Sequence, residues 1–220
     1  ILAACPSGAT ANAYTFASRA DVPLCVTLSA ITSVITVFTI PFLINLALRT
    51  FSLEGQMAQL PILNMLINLM TFTLIPLILG MLIRYFYSAF SEKAVEPIRK
   101  VVLYVMMLVL LLGIVSSYDV LLENYKTVAI LVVTMNLVTM AMGFGLAKLF
   151  KLPLTQVITI TFEVGVQNLA LSFAITFNIL QRPDLAVAGL VYAVVMPATA
   201  LGFVSLARRL MAKENANSAT

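Results

Sequence analysis

The chain has 220 residues, 61% of them hydrophobic and 10% charged, with a mean hydropathy of +1.05. A soluble domain cannot hide that much apolar surface, so the composition is that of a polytopic membrane protein. The net charge of +4 calls for no nucleic-acid partner, because the basic residues fall where apolar runs end, and the absence of histidine excludes His-based acid–base chemistry and most zinc sites.

The two cysteines, Cys5 and Cys25, form no CxxC pair and read as reduced thiols in a helix core. The sequence opens at Ile1 with no charged leader, so no signal peptide is expected and the start reads as truncated. In Ile1–Ala20 the apolar run is broken by Pro6 and Gly8. A half-helix restarting near Ala9–Thr10 then carries Asn12 close to its first turn and ends at Arg19. Asp21 caps the next span, Val22–Arg49, with Pro23 in its first turn.

Thr50–Gln59, with Glu54, Gly55 and Gln56, is a short polar connection, and Leu60–Tyr87 the following span. Ser88–Lys100 suits a short amphipathic helix at the membrane surface, bounded by Pro97. Val101–Ser117 spans again, Tyr118–Lys126 is a loop, and Thr127–Phe150 is the next span. A second interrupted helix occupies 154–180, Asp184 is expected to cap the last span, Leu185–Leu206, and a polar tail, disordered over 211–220, closes the chain.

The stretch Ile158–Phe177 organises all of this. It has the length and apolarity of a span, about 20 residues, yet Glu163, Gly165, Gln167 and Asn168 interrupt its middle. The other acidic residues sit at the ends of apolar runs, so Glu163 alone is expected at membrane depth. A carboxylate there costs at least a few kcal/mol and marks an ion or proton site. Gly165, lacking a Cβ, would let the helix break and free the carbonyls of Val164 and Val166 as ligands. The plainer alternative is a kinked helix whose polar residues join neighbouring helices.

Alternate loops fall on alternate sides of the membrane. One side collects Arg19, Arg84, Lys93, Arg99, Lys100, Lys148, Lys151, Arg208, Arg209 and Lys213; the other collects Arg49, Lys126 and Arg182. The basic-rich side, with the C-terminus, is expected to be cytoplasmic.

The two interrupted segments resemble each other, each ending in an asparagine at the start of a new half-helix, and Asn168 follows Asn12 by 156 residues. Four full spans lie between them, and the outgoing half of the first broken helix with the incoming half of the second makes a fifth crossing, an odd number, which inverts the second copy. That is the pattern of inverted-repeat secondary transporters, whose site lies where two discontinuous helices cross. Counting back by the repeat places the start of the first copy roughly 100 residues before Ile1, so about three and a half helices are expected to be missing.

The pair CPSGATAN (Cys5–Asn12) and EVGVQN (Glu163–Asn168), at this separation, resembles the bile acid:sodium symporter family. The resemblance covers the whole chain. It implies an all-α inverted-repeat fold in which a core domain holds the two crossing broken helices and panel helices lie beside it. Residues 1–21 would then belong to the core, 22–50 to a span, 51–100 to a connection, a panel-type helix and the surface segment, and 101–210 to the remaining core helices. By the same resemblance, one sodium site takes Glu163, Gln167 and the carbonyls of Val164 and Val166. A second takes Asn12, Ser29, Glu163 and the position of Ala11, where the family often has Ser; Cys25 stands at another hydroxyl position. Sodium prefers oxygen donors, so these two departures leave one or two coupled Na⁺ as alternatives.

Positive half-helix N-termini near Ala9, Thr10, Asn12 and Asn168 favour an anionic substrate. The expectation is therefore a multi-pass inner-membrane symporter that couples Na⁺ to a small organic anion, bile acid-like, pantoate-like or another carboxylate. Proton coupling through Glu163 is one alternative, and a non-transporting membrane protein of the same fold another. An intramembrane enzyme is disfavoured, since there is no histidine, no second intramembrane acid and no serine beside a base.

Overall fold

A computed structural model describes residues 1–51, 62–116 and 118–218. Among these the chain is helical apart from turns and one isolated backbone bridge, and four helices are long and apolar enough to cross a membrane. It is an all-α polytopic membrane protein. The predicted connection Thr50–Gln59 falls almost entirely outside the described residues.

A 3-10 turn over Leu2–Ala4 leads into extended backbone at Cys5, and the first half-helix, α1, runs Thr10–Ala17. It stops where Arg19 turns left-handed at φ 57°, the usual way to end a helix. Helix α2, Val22–Phe51, opens as expected, with the Leu24 N–H donating to Asp21 Oδ1 at 3.0 Å. The next span divides into α3, Ile62–Leu69, a π-helical turn over Met70–Leu74 and α4, Ile75–Phe86. Pro76 sits in the first turn of α4 and has no N–H for the turn before it, which explains the widened register there.

Four expectations are corrected downstream. The surface helix bounded by Pro97 and the span Val101–Ser117 are one helix, α5, Ser88–Ser116. Proline has a helical φ and removes one N–H, a loss that a long membrane helix tolerates. The predicted loop Tyr118–Lys126 is the first part of α6, Tyr118–Leu149; it holds neither Gly nor Pro, and Leu121, Leu122 and Glu123 are good helix formers. The tail from residue 211 continues the last helix, α9, Val187–Ser218, because Met211, Ala212, Lys213 and Glu214 favour helix and no breaker follows Gly202. Asp184 does not cap this helix. It lies inside a 3-10 turn, Pro183–Ala186, and its carboxylate holds Arg182 through bonds of 2.7 and 2.6 Å.

The second broken helix comprises α7, Leu154–Gly165, an interruption at 166–168, α8, Leu169–Ala174, and a π-helical turn over Ile175–Ile179. Two buried clusters flank it. On one side Phe162 stacks on Tyr14 of α1 with ring centroids 5.8 Å apart and meets Phe203 of α9 edge-on at 5.2 Å. On the other, Val37, Ile40 and Ile44 of α2 pack with Met65, Leu69, Leu171 and Ile175. The interruption is thus wedged between two packed bodies. The opposite flank of α2 leaves Val34, Ile35, Phe38 and Phe42 exposed, as suits a surface solvated by lipid.

Candidate functional site

The two interruptions touch. Gly8 N–H donates to the Val166 carbonyl and Asn168 N–H to the Pro6 carbonyl, both at 2.9 Å, so that Ser7 and Gln167 face each other as a single antiparallel bridge. Non-helical backbone at membrane depth needs partners for its polar groups, and each broken segment supplies them to the other. Glycine is required at Gly8 by this approach: a Cβ there would lie 2.9 Å from the Gln167 carbonyl oxygen.

Glu163, on the last turn of α7, is 8% exposed. Its Oε1 accepts from Ser29 Oγ at 2.7 Å and from Cys25 Sγ at 2.9 Å, both on α2. Its Oε2 is buried with no protein partner, and so is Asn12 Oδ1 on α1. Ser29 differs from its neighbours in this respect. Thr27, Thr32, Ser33 and Thr36 return their hydroxyls to carbonyls of α2 itself, while Ser29 reaches across to α7.

The remaining predicted residues divide. Gln167 is buried, and its Nε2 donates to the Val164 carbonyl at 3.1 Å. The carbonyls of Val164 and Val166, expected to be free, therefore each accept one hydrogen bond, from Gln167 and Gly8, and each keeps a second lone pair. Ala11 is fully buried in the cluster around Phe162. Ala9 and Thr10 open α1 and are exposed. Asn168 uses its side chain as the cap of α8, accepting from Leu171 N–H at 3.0 Å. Gly165 ends α7 at the break, and there Met140 of α6 comes so close that any Cβ would run into the Met140 Cγ.

Three neighbours escaped the sequence reading. Thr15 Oγ1 donates to Cys25 Sγ at 3.3 Å. Asn136 of α6 and Tyr192 of α9, both fully buried, converge on the carbonyl of Gly165. A signal for the last two was present, since an asparagine and a tyrosine far from the ends of apolar runs are each expensive in lipid.

A model of the Sodium Bile acid symporter family matches residues 1–124. The chain belongs to that family. The match holds α1 and its preceding break; the second break lies beyond it, and relatives extend the likeness there. This family member is 27% identical over 209 residues, 94% of its length, to the probable sodium/metabolite cotransporter BASS2, chloroplastic, of Oryza sativa subsp. japonica. It is 27% identical over 172 residues to the sodium/bile acid cotransporter 4 of Mus musculus, and 24% identical over 177 residues to the uncharacterized sodium-dependent transporter YocS of Bacillus subtilis (strain 168). These matches take in 47%, 39% and 53% of the respective relatives, so the chain spans about half their length or less. The family and these relatives are transporters and not enzymes.

Proposed function

We propose that this protein works in sodium-coupled symport of a small organic anion by alternating access, with Na⁺ held beside Glu163. The observation that carries this is that Glu163 Oε2 on α7 and Asn12 Oδ1 on α1, on the two helices whose breaks touch, are among four buried polar atoms without a protein partner, with Ser18 Oγ and Asn136 Oδ1. A buried oxygen left unpaired costs free energy that a cation recovers, and a carboxylate at membrane depth is stabilised by a positive charge. The donor chemistry suits a hard cation: a carboxylate, an amide and a hydroxyl from Glu163, Asn12 and Ser29, then the Gln167 side chain and the second lone pairs on the Val164 and Val166 carbonyls.

On this reading Ala11 and Cys25 weaken one of two family sites, and coupling approaches one Na⁺ per substrate. The opening of α1 at Ala9, Thr10 and Asn12, with Asn168 opposite, is the substrate end, where half-helix amides favour a carboxylate or sulfonate. The protein would act in the bacterial-type inner membrane with its C-terminus cytoplasmic. Arg208 supports that side, because its Nε donates to the Ala17 carbonyl at 2.8 Å and so joins two ends that the charge count assigns to one face.

Proton coupling is the second reading, favoured by the same unpartnered Oε2, which a proton on Glu163 would also satisfy. Uptake of labelled carboxylates into proteoliposomes, driven either by a sodium gradient at fixed pH or by a pH gradient without sodium, separates the two. Uptake with neither gradient dependence would defeat both.

A further inference from the structure

Asn136 and Tyr192 form a closed triangle with the carbonyl of Gly165. Tyr192 O–H donates to it at 2.6 Å, Asn136 Nδ2 donates to it at 2.8 Å, and Asn136 Nδ2 also lies 3.0 Å from Tyr192 Oη. Asn136 and Tyr192 are both 0% exposed, and Asn136 Oδ1 has no hydrogen-bond partner. Two polar groups have been placed in the middle of separate membrane helices, at a cost, and both are directed at one backbone oxygen.

That oxygen belongs to the residue whose backbone has the most freedom at the end of α7. Glycine has no side chain to limit its ψ, and the last carbonyls of a helix have no partner in the helix itself. The peptide joining Gly165 to Val166 is planar, so holding its oxygen fixes its N–H as well. The Val166 N–H is seated at the other end of that plane, donating to the Phe162 carbonyl at 2.8 Å. The plane is therefore gripped at both ends. The two carbonyls proposed for the cation, on Val164 and Val166, lie on either side of Gly165, and Glu163 and Gln167 each lie two residues from it.

We infer that Asn136 and Tyr192 are positioning residues for cation binding: they lock the Gly165 carbonyl away from the site and so set the orientation of the Val164 and Val166 carbonyls and of Gln167. The inference rests on the sodium reading of the same crossing. It assigns α6 and α9 a part in cation affinity although neither is proposed to supply a ligand.

The test uses the natural full-length protein reconstituted in proteoliposomes. Tyr192→Phe removes one oxygen and keeps the ring, and Asn136→Leu keeps the volume and removes the amide donors without adding charge. Each loses a hydrogen bond to one carbonyl, so the sodium concentration for half-maximal uptake should rise about five-fold. The maximal rate at saturating sodium, and the substrate KM measured there, should stay within about two-fold of wild type. Sodium-dependent thermal stabilisation in detergent should shift by the same factor, without reference to transport. Wild-type sodium affinity in both variants, together with a lowered melting temperature, would reduce the triangle to packing and overturn the inference. A wild-type protein with no sodium response in either measurement overturns the underlying reading instead, so the two failures are distinguishable.

Discussion

Cys25 Sγ stands 2.9 Å from Glu163 Oε1, which Ser29 Oγ also contacts at 2.7 Å, so that one carboxylate oxygen is shared between a thiol and a hydroxyl. Sulfur is a weak donor and a poor ligand for a hard cation. The side of Glu163 that faces α2 is thereby softened at one position of a site otherwise built from oxygen.

Cys25→Ser should raise sodium affinity about three- to five-fold, the worth of one ordinary hydrogen bond or oxygen contact in place of a weak one. Paired with Ala11→Ser it should also move the sodium Hill coefficient from near one toward two. Sodium titrations of uptake at saturating substrate check both, and a wild-type Hill coefficient already close to two would remove the premise.

Glu163→Gln conserves volume and hydrogen bonding to Ser29 while deleting the charge. Sodium affinity should fall about ten- to hundred-fold, from the 1.5–3 kcal/mol carried by a charged partner, with insertion in the membrane unchanged. Gln167→Ala removes a neutral oxygen and should cost less, about five-fold. Gradient-driven uptake normalised to inserted protein measures both, and sodium-driven uptake at the wild-type level by Glu163→Gln would end the assignment.

Glycine substitutions separate close approach from mere helix content. Gly8→Ala sets a methyl against the backbone of Gln167, which cannot move aside, and should destabilise the fold by about 1–3 kcal/mol. Gly165→Ala meets the flexible Met140 side chain, so Met140→Ala in the same chain should recover much of its loss. Gly145→Ala, with nothing within 4 Å of its Cβ, should be neutral or slightly stabilising. Melting temperatures in detergent rank the three.

Asp21→Ala should cost about 1 kcal/mol by removing the side-chain cap of α2, and Asp21→Asn should cost little, since an amide oxygen caps as well. The bonds that tie this residue to Thr159 use the Asp21 main chain and survive either change. A loss in Asp21→Asn equal to that in Asp21→Ala would show that charge, and not capping, is the contribution.

Most of the architecture was legible because apolar runs bounded by charge are unambiguous in a membrane protein. The breaks were legible as well, since Pro6, Gly8, Glu163 and Asn168 have no plain place inside a span. Less legible were the ends of helices. Pro97 looks like a boundary and Tyr118–Lys126 like a loop by the rules of surface segments, whereas α5 and α6 each continue as one long helix through a proline or a few charges. The bonds made by Asn136 and Tyr192 depend on which faces of α6 and α9 meet α7, and periodicity is weak in helices that are apolar all round. For the same reason the acceptor of Gly8 could not be read, because backbone pairing between segments so far apart in sequence leaves no trace in either one.

That pairing has a consequence for how the protein is made. Gly8 is followed by Val166 only 158 residues later, and at roughly 5–20 residues per second the ribosome delivers the partner about 8 to 30 seconds afterwards. During that interval the amide of Gly8 and the carbonyl of Pro6 have entered the translocation machinery without the groups that will satisfy them. The first break must wait in a wet or chaperoned place, and it becomes lipid-tolerant when the second arrives. The crossing is therefore completed late in biogenesis, and a nascent chain halted before α7 lacks the groups that pair with its first break.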